Sequence, residues 1–157
     1  MVANFLWKPG TSNDGLTTAA ATLMTTELNS LVNNAYAVTS AGFTNNDTAQ
    51  AIWAQLFLTL GAIGTAVQNG GNIAGWFLRS YDGGTTYEQT AAQPGRSPDF
   101  YFPLPATTIA AASVWGSNGL VLLPAVKYKV GVLNTTGQTL ASSGNTVRAA
   151  PVNMQTP

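Results

Sequence analysis

Apolar and polar residues alternate along much of the chain after residue 51, and this alternation predicts β-strands. In residues 52–60 the large aliphatic side chains fall at even positions, whereas Gln55 and Thr59 fall at odd ones. That period of two is typical of a half-buried strand. A helix is the competing interpretation of this segment, but Gly61 and Gly64 interrupt the helical pattern and favour a strand.

Other segments carry the same signal. Residues 126–132 alternate apolar side chains with lysines and a glycine, which is the cleanest period-two pattern in the chain. Phenylalanines flank Tyr101, and Pro103 confines this strand to an edge or an end of a sheet. Shorter strands are predicted at 73–81, 107–115, 119–123, 138–140 and 145–149.

Turn-forming segments separate these strands. Glycine and asparagine cluster at 69–72, 82–84, 116–119 and 134–137. Several short strands divided by such turns predict an all-β chain. We expect an antiparallel β-sandwich, jelly-roll-like in arrangement.

The first third of the chain departs from this pattern and contains the one predicted helix. Leu28, Leu31 and Val32 share one face at helical spacing, and Thr25 or Thr26 stands where an N-cap is needed. We therefore expect a short helix within residues 27–32.

Residues 1–15 predict an extended N-terminal arm, in which an apolar group of Phe5, Leu6 and Trp7 precedes a turn-forming run. Two interpretations are open: an edge strand or frayed tail, or an arm whose aromatics contact a neighbouring subunit or a capsid. We expect a single β-sandwich domain at 16–150 and a C-terminal tail at 151–157.

Charge is scarce, and this narrows the choice of partners. Charged residues make up 8% of the chain and the formal net charge is zero, whereas ordinary globular proteins are about 25% charged. No run of basic residues is present, so no nucleic-acid partner is expected. The apolar stretch at 52–67 is interrupted by polar residues and glycines, and the N-terminus shows no signal-peptide pattern, so no membrane association is expected.

The chain contains no cysteine and no histidine. It thereby lacks the usual neutral-pH base, the thiolate nucleophile and the commonest transition-metal ligands. We expect no catalytic residues, no metal and no cofactor. With no histidine or cysteine, the remaining candidate catalytic group is a pair of carboxylates drawn from Asp82, Glu88 and Asp99. The favoured alternative is that these carboxylates close turns or are solvated.

Aromatic residues offer a second candidate chemistry. An exposed platform of aromatic rings could stack on a sugar, although such residues in strands more often belong to a core or an interface. The candidates are Trp76, Tyr81, Tyr87, Tyr101 and Trp115.

Residues 80–87 form the most pattern-like segment of the chain. Their sequence, SYDGGTTY, resembles the Asp-box of sialidase-type propellers, with tyrosine in place of the final tryptophan. In that family the box stabilises a hairpin turn and is not catalytic. We therefore predict a structural hairpin turn. Asp82 bonds the backbone, Gly83 and Gly84 supply positive φ, Ser80 opens the turn and Tyr87 packs back on the strand.

Over residues 22–148 the chain resembles a family of tailed-bacteriophage virion proteins, known as structural or decoration proteins. The resemblance rests on the order and spacing of short motifs: TELNSL at 26–31, the strand ending near residue 61, WFLRSYDGGTTY at 76–87, LLP at 122–124, KYK at 127–129, LN at 133–134, TG at 136–137 and SGNT at 143–146. It implies a β-sandwich component of the particle and supplies no catalytic residues.

The expected function is therefore non-enzymatic: a capsid decoration, or cement, protein that binds the major capsid protein on the outside of the shell and stabilises it. We expect it to be made in the host cytoplasm and to reside on the virion surface. We also expect it to form a homo-oligomer, specifically a homotrimer. The alternative is a tail, fibre or baseplate module that recognises a host surface glycan.

Overall fold

The computed structural model describes residues 6–9, 21–44 and 53–155. In these ranges the chain forms nine strands and one turn of 3-10 helix. The strands are β1 (Leu6–Pro9), β2 (Ala21–Met24), β3 (Tyr36–Val38), β4 (Trp53–Leu60), β5 (Asn72–Arg79), β6 (Phe100–Pro103), β7 (Ser113–Leu122), β8 (Tyr128–Asn134) and β9 (Thr146–Gln155), and the 3-10 turn is Thr26–Leu28.

The strands form two sheets whose pairings are all antiparallel. One sheet has the order β2-β9-β4-β7 and the other β3-β8-β5-β6; β1 joins the first sheet by pairing with the C-terminal half of β9. From β2 to β9 every connection crosses between the sheets, except the one that joins β5 to β6. This order is that of the eight-stranded jelly roll. The predicted antiparallel β-sandwich is confirmed.

The core lies between the sheets and follows the predicted alternation. In β4 the even-numbered residues are buried and the odd-numbered ones are half-buried on the outer face. The opposite sheet contributes a cluster of rings: Phe77 lies 5.4 Å from Phe100 and 5.2 Å from Tyr128, measured between ring centroids. Gly75 gives Phe100 its space, because a Cβ at that position would overlap the phenyl ring.

Strand β5 is buried on both faces. Ile73 and Phe77 point into the main core, whereas Ala74, Trp76 and Leu78 form a second, smaller apolar cluster on the outer face of the sheet. Part of the long β5–β6 connection, residues 80–99, covers this outer face; Arg96 Nη2, for example, donates to the backbone oxygen of Phe77. The four-stranded sheet is therefore sandwiched between the core and this connection.

The predicted short helix is a single 3-10 turn. Neither Thr25 nor Thr26 caps it; instead the carboxylate of Glu27 accepts from the backbone N–H groups of Thr25 (3.1 Å) and Ser40 (3.3 Å). Ser30 has φ of 55° and ends the helical path. Val32, expected on the buried face, is 54% exposed.

The turn predicted at 116–119 is wrong, because β7 runs through it. Gln55 pairs with Leu120 and Phe57 with Gly116, so residues 117–119 stand opposite Leu56 as a bulge. The hydroxyl of Ser117 fills the gap in the ladder by accepting from the Leu56 N–H (3.3 Å). The glycine-rich signal thus marks a bulge within one strand and not a reversal between two.

Residues 138–140 form no strand, although the turn before them is present. The side-chain amide of Asn134 donates to the backbone oxygens of Leu31 and Gln138, both at 2.8 Å. This segment is therefore organised by a buried asparagine, and not by a sheet ladder.

The chain ends contribute to the first sheet. Leu6–Pro9, predicted as part of an arm, pairs with β9, as in the edge-strand interpretation. β9 continues to Gln155, so residues 151–155, predicted as a tail, belong to the sheet. Phe5 lies outside the described residues, and Leu6 and Trp7 belong to β1.

None of the helical structure in the described ranges has the length and apolarity needed to cross a membrane.

The close approach of Gly75 to Phe100 yields a stability prediction. Gly75→Ala should lower the free energy of unfolding by about 1–3 kcal/mol, because the new methyl group overpacks the core. Gly64→Ala is the matched control, since a Cβ there meets no atom within 4 Å. Urea unfolding of both variants measures the difference. Equal midpoints for the two would contradict the packing described.

Candidate interaction surfaces

The predicted turn at 80–87 is present and opens the β5–β6 connection. The carboxylate of Asp82 accepts hydrogen bonds from the Ser80 hydroxyl (2.7 Å) and the backbone N–H groups of Thr85 (3.0 Å) and Thr86 (2.8 Å). Gly83 and Gly84 have φ of 76° and 99°. Hydrogen bonds from the side chain and backbone of Thr86, followed by that from Ser80, hold the pKa of Asp82 far below its usual range.

Tyr87 packs against the neighbouring strand β8. The ammonium group of Lys129 lies 5.1 Å from the centroid of the Tyr87 ring, a cation–π contact. The Asp82 turn thus folds the connection back over the sheet, and no sheet strand follows it until β6 begins at Phe100.

Arg96 clamps the far end of the same connection. Its guanidinium donates to the carboxylate of Asp99 (2.7 Å), the backbone oxygen of Phe77 (2.9 Å) and the carboxylate of Glu88 (3.3 Å). The hydrogen bond to Asp99 raises the pKa of Arg96, and that to Glu88 adds to the rise. Each carboxylate also accepts from β5 backbone: Asp99 from Phe77 N–H (2.7 Å) and Glu88 from Arg79 N–H (3.1 Å).

The carboxylates considered as a catalytic pair are therefore only partly brought together. Glu88 and Asp99 meet on one guanidinium, and Asp82 bonds its own turn. Because Arg96 lies between Glu88 and Asp99, the two carboxylates do not face each other across open space. Their arrangement holds the connection onto β5.

The outer face of the first sheet carries several accessible apolar side chains, alongside the polar Gln55 and Thr59. Val114, Leu120 and Leu122 of β7 are 59%, 46% and 57% exposed. Trp53 and Phe57 of β4 are half-buried on the same face, since Trp53 pairs with Leu122. We call these five residues the apolar sheet face. Among the described residues of β4, β7 and β9, the charge at this face comes from Arg148 of β9, which lies opposite Phe57.

Strand β7 forms an uncharged edge of that sheet. It pairs with β4 on one side and ends the strand order. The sequence contains no Asp, Glu, Lys or Arg from residue 100 to residue 126. Across the sandwich, Asn118 in its bulge accepts from the backbone N–H of Tyr101 at the edge of the opposite sheet (3.1 Å). Edge strands are commonly protected by charges or proline; β7 has neither, but it contains a bulge and lies beside β6 of the opposite sheet.

The five aromatic candidates lie in different places. Tyr81 is 76% exposed and lies in the Asp82 turn with Tyr87, whereas Trp115 packs on the main core. Trp76 and Tyr101 line one depression on the outer face of the four-stranded sheet. The structure thus brings the candidates together in two pairs, Tyr81 with Tyr87 and Trp76 with Tyr101, and separates Trp115 from both.

Tyr36 is a member of this aromatic group that sequence reasoning missed. Its ring meets that of Trp76 edge-on at 5.9 Å between centroids. Its buried hydroxyl occupies the space left by Gly131 and has no hydrogen-bond partner among the described residues. Burial raises the pKa of Tyr36 to about 12. No local pattern marks this residue, because Trp76 and Gly131 reach it only through the pairing of β3, β8 and β5.

Within residues 6–9, 21–44 and 53–155, no cluster of three or more acidic, histidine or cysteine side chains is placed to bind a metal ion.

No protein-family model, curated protein or solved structure matches this chain.

The Arg96 clamp predicts how the β5–β6 connection responds to mutation. Arg96→Ala should lower the free energy of unfolding by roughly 1–2 kcal/mol, toward the lower end of the range for charged hydrogen bonds, because a third of the side chain is exposed. It should also speed hydrogen exchange in residues 89–98, while exchange in β8 changes little. Arg79→Ala is the control, since the Arg79 side chain forms no ion pair with a described residue. Similar exchange in both variants would contradict the clamp.

The Asp82 turn predicts an acid-dependent loss of stability. Because the folded-state pKa is lowered, the contribution is present above the unfolded-state value of about 3.9 and is lost as the pH falls through the lower folded value. Between about pH 5 and pH 2, stability should fall more steeply for the wild type than for Asp82→Asn, which cannot titrate there. Urea unfolding across this range measures both slopes, and parallel curves would refute the assignment.

Proposed function

We propose that this protein is a non-enzymatic structural component of a bacteriophage particle: a capsid decoration protein that binds the outside of the major capsid shell and stabilises it. The observation that carries the proposal is the apolar sheet face. Three exposed and two half-buried large apolar side chains are gathered there on two neighbouring strands, and a grouping of exposed apolar side chains in a folded domain favours a protein contact.

The chemistry of this face favours a protein partner. Arg148 is its charged side chain among the described residues, so electrostatic attraction to phosphates contributes little. Its strands are extended and its side chains short or flat, which suits close packing against a protein surface over several strands. Binding there would remove Leu120, Leu122 and Val114 from water, at about 25 cal/mol for each Å² of apolar area buried.

The resemblance to tailed-phage virion proteins supports a shell as that protein. The jelly roll is compatible with this role because it recurs in viral capsid domains, although the same fold hosts many functions. The near absence of charge also suits a protein present in many copies, since a neutral surface neither attracts DNA nor repels its own neighbours.

The proposal includes a homo-oligomer on the shell. β7 ends the strand order next to the apolar sheet face, so a second copy and the major capsid protein are both suitable neighbours for this region. The trimer and the contact through Phe5, Leu6 and Trp7 stay predictions from the sequence.

Leu122→Glu is expected to abolish or strongly weaken binding to purified capsid shells, because a carboxylate would have to be desolvated at the contact. Val32→Glu is the matched control, since Val32 is similarly exposed (54%) but lies outside the apolar sheet face. Co-sedimentation with shells measures binding, and thermal melting checks that both variants fold.

Wild-type protein in purified virions should be present at a copy number comparable to that of the major shell protein. A few copies per particle, or equal shell binding by Leu122→Glu and wild type, would overturn the proposal.

A further inference from the structure

We propose that the outer face of the four-stranded sheet carries a binding groove for a neutral saccharide. Two adjoining depressions of about 370 and 570 Å³ lie between this face and residues 91–98 of the β5–β6 connection. Both are lined by Leu133 and Gln93, so they form one continuous groove from Tyr36 on β3 to Tyr101 on β6. The inference is independent of the proposed capsid role, because the apolar sheet face lies on the opposite side of the sandwich.

The aromatic surfaces of the groove are held in place before any ligand binds. The Trp76 ring is 3% exposed and donates from Nε1 to the backbone oxygen of Arg96 (3.0 Å). Tyr36 rests edge-on against it, and Tyr101 is half-buried at the other end of the groove. The half-buried rings of Tyr36 and Tyr101 match the flat C–H faces of pyranoses, with the buried Trp76 as their support, and their order in the free protein lowers the entropic cost of binding.

The polar groups of the groove suit hydroxyl groups. The side-chain amides of Asn34 and Gln93 are exposed and make no hydrogen bond to another described residue. The Asn72 amide donates to the Gly70 oxygen (3.2 Å) and keeps its own oxygen available. Each amide offers a donor, an acceptor or both, which is the pairing that neighbouring sugar hydroxyls require.

The charge of the groove favours a neutral ligand. Arg96 is the charged side chain among the described lining residues, and Asp99 and Glu88 already neutralise it. An acidic or phosphorylated ligand would find no free cation there.

A proline-rich peptide is the main competitor for an aromatic groove. Such a peptide presents carbonyl oxygens and needs exposed donors between the rings. Here the Trp76 N–H already bonds to the backbone of Arg96, and the Tyr36 hydroxyl is buried over Gly131. Two of the donors beside the rings are therefore occupied or inaccessible, whereas the exposed amides of Asn34 and Gln93 are available to sugar hydroxyls.

The test is titration of the full chain with soluble cello-, malto-, manno- and chito-oligosaccharides, followed by NMR or calorimetry. At least one is expected to bind and to perturb residues on β3, β5 and β6. Tyr101→Ala should weaken that binding roughly three- to tenfold through loss of the ring contact, and Gln93→Ala should also weaken it. Tyr81→Ala is the control, because this tyrosine is 76% exposed outside the groove.

Three outcomes would overturn the inference: no binding to any of these neutral oligosaccharides at millimolar concentration, unchanged affinity in both folded groove variants, or binding of a polyproline peptide in the groove in place of saccharide. Melting temperatures of the variants establish that they fold. None of these outcomes bears on shell binding, so failure here leaves the Leu122→Glu experiment to decide the proposed function separately.

Discussion

Burial of β5 on both of its faces is the constraint on which the arrangement of the four-stranded sheet depends. Phe77 anchors the strand in the core through its ring contacts with Phe100 and Tyr128. On the other face, Trp76 and Leu78 would be exposed to water if the β5–β6 connection left the sheet. The connection therefore needs a strong attachment, and Arg96 provides it by bonding two carboxylates and the β5 backbone at one point.

This attachment makes the two outer surfaces of the sandwich different. The four-stranded sheet is partly covered, and a groove with aromatic and amide groups remains beside the covering residues. The other sheet has no such cover over β4 and β7 in the described residues, so its apolar side chains are exposed. A protein with these surfaces can contact a large partner through one side and present the other side to solvent, as the proposed place on a capsid requires.

The scarcity of charge has consequences at both surfaces. The few ionised groups are used locally: Asp82 holds a turn, and Glu88, Arg96 and Asp99 hold the connection. They leave little charge to steer a ligand, so recognition at either surface must depend on shape, apolar contact and neutral hydrogen bonds. The same scarcity leaves β7 without the lysines that commonly protect an edge strand.

The sequence by itself determined the features that depend on neighbours along the chain. Alternation predicted the buried face of β4 and of β8, and the Ser80–Asp82 turn followed from residues within hydrogen-bonding reach of one another. Glycine-rich turns between strands were enough to predict an antiparallel sandwich. At residues 116–119, however, the same signal marked a bulge, because the local preference of glycine does not distinguish a bulge from a reversal.

Contacts between distant residues were decided only by the tertiary structure. Arg96 meets Phe77, and Tyr36 meets Trp76 and Gly131, because strand pairing places them together, and no spacing in the sequence encodes those distances. The expected helix was reduced to a 3-10 turn where Ser30 bonds to Ala141, far along the chain. Periodicity indicates which side chains share a face; only the packed fold determines whether that face becomes core, groove or open surface, since that depends on which segment lies over it.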